Sequence, residues 1–159
     1  MAKVIAICGK ICAGKTYYSN QIKEKEKAVV LSCDELTKTL FDNILGESHD
    51  EMTLRICNYF EKKSVELVNV GCTVVLDWGF WSSESRRSLT EFCHSQNIPY
   101  EWHYIDVDDR TWHKNIEERN RRVLSGEGGS DYYLDEGLMG KLLSKWETPS
   151  KDEIDVCIH

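Results

Sequence analysis

The chain lacks any apolar run approaching the ~20 residues needed to cross a bilayer. Its first apolar stretch, Val4–Cys8, is short and soon followed by Lys10 and Lys15, so it does not read as the core of a secretion signal. On this reading nothing directs the protein out of the cytoplasm or onto a membrane. An excess of basic charge is missing as well: 20 Lys and Arg stand against 27 Asp and Glu, for a net charge of −7. General nucleic-acid binders carry a basic face, which argues against that class of partner. The seven cysteines contain no Cys-x-x-Cys pair, which excludes zinc-ribbon and thioredoxin-type sites and leaves buried free thiols as the reading for most of them. The five histidines show no metal-ligand spacing. Asp-x-x-Gly and Asn-Lys-x-Asp, expected of regulatory GTPases, do not occur, and the chain is too short for a large motor ATPase.

What is present fits one domain. At 159 residues, with 41% hydrophobic and 30% charged side chains, the chain is long enough to bury about two-thirds of its surface in a proper core. Val4–Cys8 reads as a strand buried on both faces, and further strands are expected at Ala28–Ser32, Cys72–Trp78, Tyr100–Val107 and Ile154–Ile158. Helical periodicity falls between them, at about 15–26, 34–45, 51–69, 83–96, 109–123 and from about 135. No repeat, linker or domain boundary interrupts the pattern. Strands alternating with helices predict a single three-layer α/β domain over residues 1–159, with a mostly parallel five-stranded sheet.

The most specific motif is Gly9-Lys10-Ile11-Cys12-Ala13-Gly14-Lys15-Thr16, a complete G-x-x-x-x-G-K-[ST] loop placed after a buried strand and before a helix. Its glycines allow backbone amides to approach phosphate oxygens, and the following helix adds its positive end. Lys15 is expected to reach the β- and γ-phosphates, and the Thr16 hydroxyl to bind Mg²⁺. Asp77 closes the third strand at the edge where such sheets bind ligands, a position suited to holding Mg²⁺ through water. Capping of a nearby turn is the plainer role for it. Asp34 follows the second strand at a helix start. It is either that helix's N-cap or a base for an acceptor hydroxyl.

Arg119 shares the inward face of its helix with Trp112 and Ile116 and is positioned to swing onto a transferring phosphate; Arg122 is a second candidate. Arg86, on the inward side of its own helix, and the aromatics Trp78 and Trp81 are candidates for the acceptor side, against ordinary core packing or surface charge. The leading reading is a nucleotide- and Mg²⁺-dependent phosphotransferase acting on the hydroxyl of a small molecule. The alternatives are a nucleotide-binding regulatory module without an acceptor, or a polynucleotide or toxin-type kinase.

The segments GKICAGKT, LSCDEL, VVLDWGFWSSESRR, EERNRR and YYLDEGL…WETPSKDE resemble those of the small P-loop kinase-like proteins grouped with AAA-type ATPases. Relatives of that group include chloramphenicol phosphotransferase, the zeta-toxin kinases and the kinase domain of polynucleotide kinase. The resemblance implies an adenylate-kinase-like sheet order, a mobile lid at about 119–134, Asp34 as catalytic base, ATP as the nucleotide, and Glu147–Glu153 beside the adenine. Many such relatives carry an arginine four residues before the lid arginine, where this chain has Asn115.

Overall fold

In the computed structural model, which describes residues 1–42, 46–129 and 131–159, five strands form one parallel sheet. They are β1 (Val4–Cys8), β2 (Val29–Leu31), β3 (Val74–Gly79), β4 (Tyr100–Ile105) and β5 (Val156–Ile158), in the order β2-β3-β1-β4-β5. All four pairings are parallel. Parallel neighbours need crossovers, and helices supply them: α1 (Lys15–Glu26), α2 (Cys33–Phe41), α3 (His49–Asn69), α4 (Ser83–Ser95), α5 (Asp109–Leu124) and α6 (Glu136–Leu143). The expected three-layer α/β architecture is therefore present. No helix among the described residues is long and apolar enough to cross a membrane.

β1 lies at the centre and is buried throughout, which is why its sequence is a continuous apolar run. Side-chain alternation splits it between two cores. Ile5 and Ile7, with Val75 of β3, pack with Ala13, Ile22 and Ala28 on the face covered by α1. Val4, Ala6 and Cys8 pack with Val68, Leu89 and Cys93 on the face covered by α3 and α4. Fully burying each such Val, Ile or Leu contributes about 1.5–3 kcal/mol, so this strand anchors everything attached to its ends.

The edges depart from expectation. β2 and β5 are three residues each, shorter than the stretches predicted for them, as befits strands paired on one side only. The helix expected over 34–45 starts at Cys33 and ends at Phe41, where Asp42 turns left-handed; 43–45 lie outside the described residues. Leu40, expected on its apolar side, is exposed. Within β3 the register slips: Ala6 faces Leu76, but Cys8 faces Gly79. Asp77 and Trp78 thus share the space opposite one residue, Ile7, in a bulge that sits beside the phosphate loop. Such bulges re-aim side chains next to active sites.

Candidate functional site

The carboxyl ends of β1, β3 and β4 meet at one edge of the sheet, and the glycine-rich loop springs from the first of them. Cys12 (φ 60°) and Gly14 (φ 98°) both adopt left-handed backbone, which turns successive amides toward a common side. At Gly14 glycine meets this demand without strain, whereas Cys12 meets it with a side chain. A Cβ on Gly9 would stand 3.3 Å from the Ala13 Cβ and 3.4 Å from Ile105, so the loop is pressed closely onto β4. Lys15, the first residue of α1, donates from Nζ to the carbonyls of Gly9 (3.0 Å) and Lys10 (2.9 Å). Burial pushes its ammonium pKa down, and Asp77, Cys12 and Asp34 work against that.

Asp77 points toward α1. Burial raises its carboxyl above the usual range, while the Ser19 hydroxyl and Lys15 pull it back. Asp34 lies across the crevice. The cap of α2 is Ser32, whose hydroxyl accepts the Glu35 amide at 3.3 Å, so Asp34 sits inside the first turn with no capping duty. Its side chain is exposed, and its charge acts on Lys15, Asp77 and Tyr132 alike, which marks all four as neighbours around one space.

α5 forms the third wall through Arg119, which sequence reasoning assigned to the site, and through Trp112 and Asn115, to which it gave no site role. Trp112 donates its indole N–H to the Ile11 carbonyl at 2.7 Å, with the Lys10 ammonium 3.9 Å over its ring. Asn115 donates to the Cys12 carbonyl at 2.9 Å. One turn on, Arg119 places Nη1 3.8 Å from Cys12 Sγ, lays its guanidinium over the Tyr132 ring at 4.7 Å and donates from Nε to the Tyr132 carbonyl at 3.3 Å. Asp131 stands 3.8 Å from the same guanidinium. Positions 112, 115 and 119 share one helix face, and that periodicity was the available signal. Asn115, standing where relatives are expected to have arginine, holds the phosphate loop itself. The segment after α5 returns at Leu134, whose amide and carbonyl both bond to the Asn120 side chain (2.7 and 2.9 Å).

Other expected residues lie elsewhere. Arg122 is half exposed and faces Glu118 at 4.0 Å, away from the loop. Trp78 stacks near Phe60 and against Phe80 (centroids 6.4 and 5.0 Å apart), inside the core. Arg86 is 2% exposed, with its guanidinium bonded to Glu153 and to the Phe80 carbonyl, both at 3.0 Å. Trp81 is half-buried, and its indole N–H has no partner among the described residues; it lies so close over Gly79 (φ 84°) that a Cβ there would come within 2.6 Å of Nε1. The segment Glu147–Glu153 runs along α4. Glu147 accepts the Ser83 amide at 2.9 Å and Glu153 pairs with Arg86, so the segment straps α4. A cleft of about 940 Å³ along α4 and β4 shares with the expected site only Arg86 and, from the Glu147–Glu153 segment, Asp152 and Glu153. Asp106, Cys157 and His159, distant in sequence, bring one ligand atom each within 4.8 Å of one another at exposed ends of β4 and β5.

Of the oxygens expected to hold a metal, the Asp77 and Asp34 carboxylates both act on Lys15, and Thr16 follows Lys15 in the first turn of α1; all are hard donors. That chemistry suits Mg²⁺, and the left-handed loop suits a polyphosphate.

In fold, then, this is a P-loop domain of the kind from which small kinases are built. Residues 4–131 match the AAA domain family, and the chain belongs to it. Among solved structures it is similar to a gluconokinase from Sinorhizobium meliloti (14% identity, 98% of this chain and 81% of that one, TM-score 0.69). It is similar also to the APS kinase of Mycobacterium tuberculosis in complex with AMPPNP and APS (16%, 99% and 87%, 0.67). A sugar kinase from Janibacter is a third (13%, 99% and 85%, 0.68). No match was found among curated protein sequences. At these identities the likeness is one of fold.

Proposed function

We propose that the protein is an ATP- and Mg²⁺-dependent phosphotransferase that moves the γ-phosphoryl group to a hydroxyl of a small molecule. The observation that carries this reading is Asp34. Freed from capping by Ser32, it presents a carboxylate to the same space as Lys15 and Asp77, where a base for an acceptor hydroxyl belongs.

In this reading the loop amides of residues 9–16 and Lys15 hold the phosphates, and Thr16 with Asp77 holds Mg²⁺. The metal, when bound, neutralises charge on the β- and γ-phosphates. Asp34 accepts the proton of the acceptor hydroxyl as its oxygen bonds to the γ-phosphorus and the bond to ADP breaks. Arg119 stabilises the charge on the transferring group from the α5 side. The segment around 119–134 acts as the lid that excludes water. Trp81 is retained as a wall of the acceptor site, whereas Trp78, Arg86 and Arg122 are not, because packing and ion pairs already engage them.

Replacing Asp34 by Asn tests the reading. Acceptor-stimulated ADP release is expected to fall on the order of 10²-fold or more while ATP binding persists. Unchanged turnover would remove Asp34 from the mechanism. A regulatory nucleotide-binding module would instead show no stimulation by any hydroxyl compound.

A further inference from the structure

Lys38 stands one helical turn beyond Asp34. In α2 the positions 33 and 37 share the buried face, with Cys33 1% and Thr37 4% exposed. Positions 34 and 38 form the adjacent row. Asp34 marks that row as the one looking into the crevice. Lys38 confirms it from the other side: a Cβ added at Gly129, in the segment after α5, would stand 3.6 Å from its Nζ. The ammonium therefore reaches from α2 to the segment after α5.

The charges around it are otherwise assigned. Lys15 belongs to the phosphate loop, Lys10 stands over Trp112 and faces Asp109 at 3.8 Å, and Asp131 faces Arg119. Among the described residues Lys38 has no carboxylate partner, yet it is half-buried. A cation in the row of Asp34 without a carboxylate partner is left for an anion that enters the crevice. A neutral acceptor leaves it unpaired; an anionic one meets it.

Resting on the phosphotransferase reading, we infer that the acceptor is an anionic hydroxyl compound and that Lys38 is the residue that selects it. Side chains four apart on a helix stand about 5–6 Å apart at their Cβ atoms. With Asp34 at the reacting hydroxyl, the acceptor's phosphate, sulfate or carboxylate lies a few bonds away from that hydroxyl. Sugar phosphates, short sugar acids and nucleoside monophosphates have this layout.

The test is acceptor-stimulated ADP release with the full chain and matched pairs: glucose against glucose 6-phosphate and gluconate, glycerol against glycerol 3-phosphate, adenosine against AMP. The anionic members are expected to be preferred. Lys38→Met is expected to raise KM for them by about 10–100-fold, the scale of a lost charge-assisted hydrogen bond, with a smaller change in kcat. Lys38→Arg is expected to restore the preference. A merely structural role for Lys38 would lower kcat and thermal stability without touching the ratio between the members of a pair. Equal use of neutral members, or an intact preference in Lys38→Met, overturns this inference and leaves the phosphotransferase reading standing. Absence of stimulation by every member overturns both.

Discussion

In the proposed mechanism Asp77 holds a metal's charge from a position that disfavours its own. Burial raises its pKa, the Ser19 hydroxyl and Lys15 lower it, and Asp34 raises it again, with a net upward shift from 3.8. The folded state therefore holds this proton more tightly than the unfolded chain does. Its contribution to stability is present at low pH and is lost as pH rises from about 3.8 through the folded value. Carboxyl-carbon NMR titration should find Asp77 above 3.8, and Lys15→Met should move it further up by removing the nearest cation. A value at or below 3.8, or a downward move in the variant, would contradict the arrangement. The same burial depresses Lys15, so the pair is coupled and neither group suits the folded state alone. In the proposed function, holding the nucleotide and its metal accounts for keeping both.

At the scale of elements, legibility followed locality. β1 could be read because burial on both faces leaves an unbroken apolar run, and the loop could be read because its spacing is a backbone requirement. The bulge at Asp77–Trp78 could not, since register exists only against a partner strand. Which residue caps α2 also stayed open in the sequence, because Ser32 and Asp34 are both good N-caps and only the geometry of the turn shows that it is Ser32. Asn115 and Asn120 look like ordinary surface residues of a charged helix, and their tertiary bonds have no local signature. Asn120 makes a direct prediction. Its amide holds both polar groups of Leu134, which is 3% exposed. Asn120→Ala is expected to cost about 1–3 kcal/mol in urea unfolding, the penalty for leaving a buried backbone pair unsatisfied. Limited proteolysis should at the same time gain cleavage between α5 and α6. An unchanged midpoint and cleavage pattern would show that the return of this segment is held by something else.

Across the whole molecule, two straps tie elements distant in sequence together. One is α5, bonded to the phosphate loop by Trp112 and Asn115. The other is Glu147–Glu153, which ties the approach to β5 onto α4 through Arg86. Burial works against ionisation of Glu153, but the Arg86 guanidinium and the Ser150 amide outweigh it and hold its carboxyl below the usual range. Because Arg86 is nearly inaccessible, Glu153→Gln leaves a buried cation with little more than the Phe80 carbonyl. It should lower the free energy of unfolding by about 3 kcal/mol, while nucleotide affinity changes little. Comparable losses of nucleotide affinity would mean that this strap belongs to the site after all.

In the proposed function the Gly9–Thr16 loop grips a polyphosphate with Mg²⁺. Isothermal titration of the full chain with ATP in magnesium buffer measures this directly. One saturable site is expected, lost in Lys15→Met while circular dichroism stays unchanged. No heat with either ATP or GTP, or equal binding by the Lys15→Met variant, would contradict it.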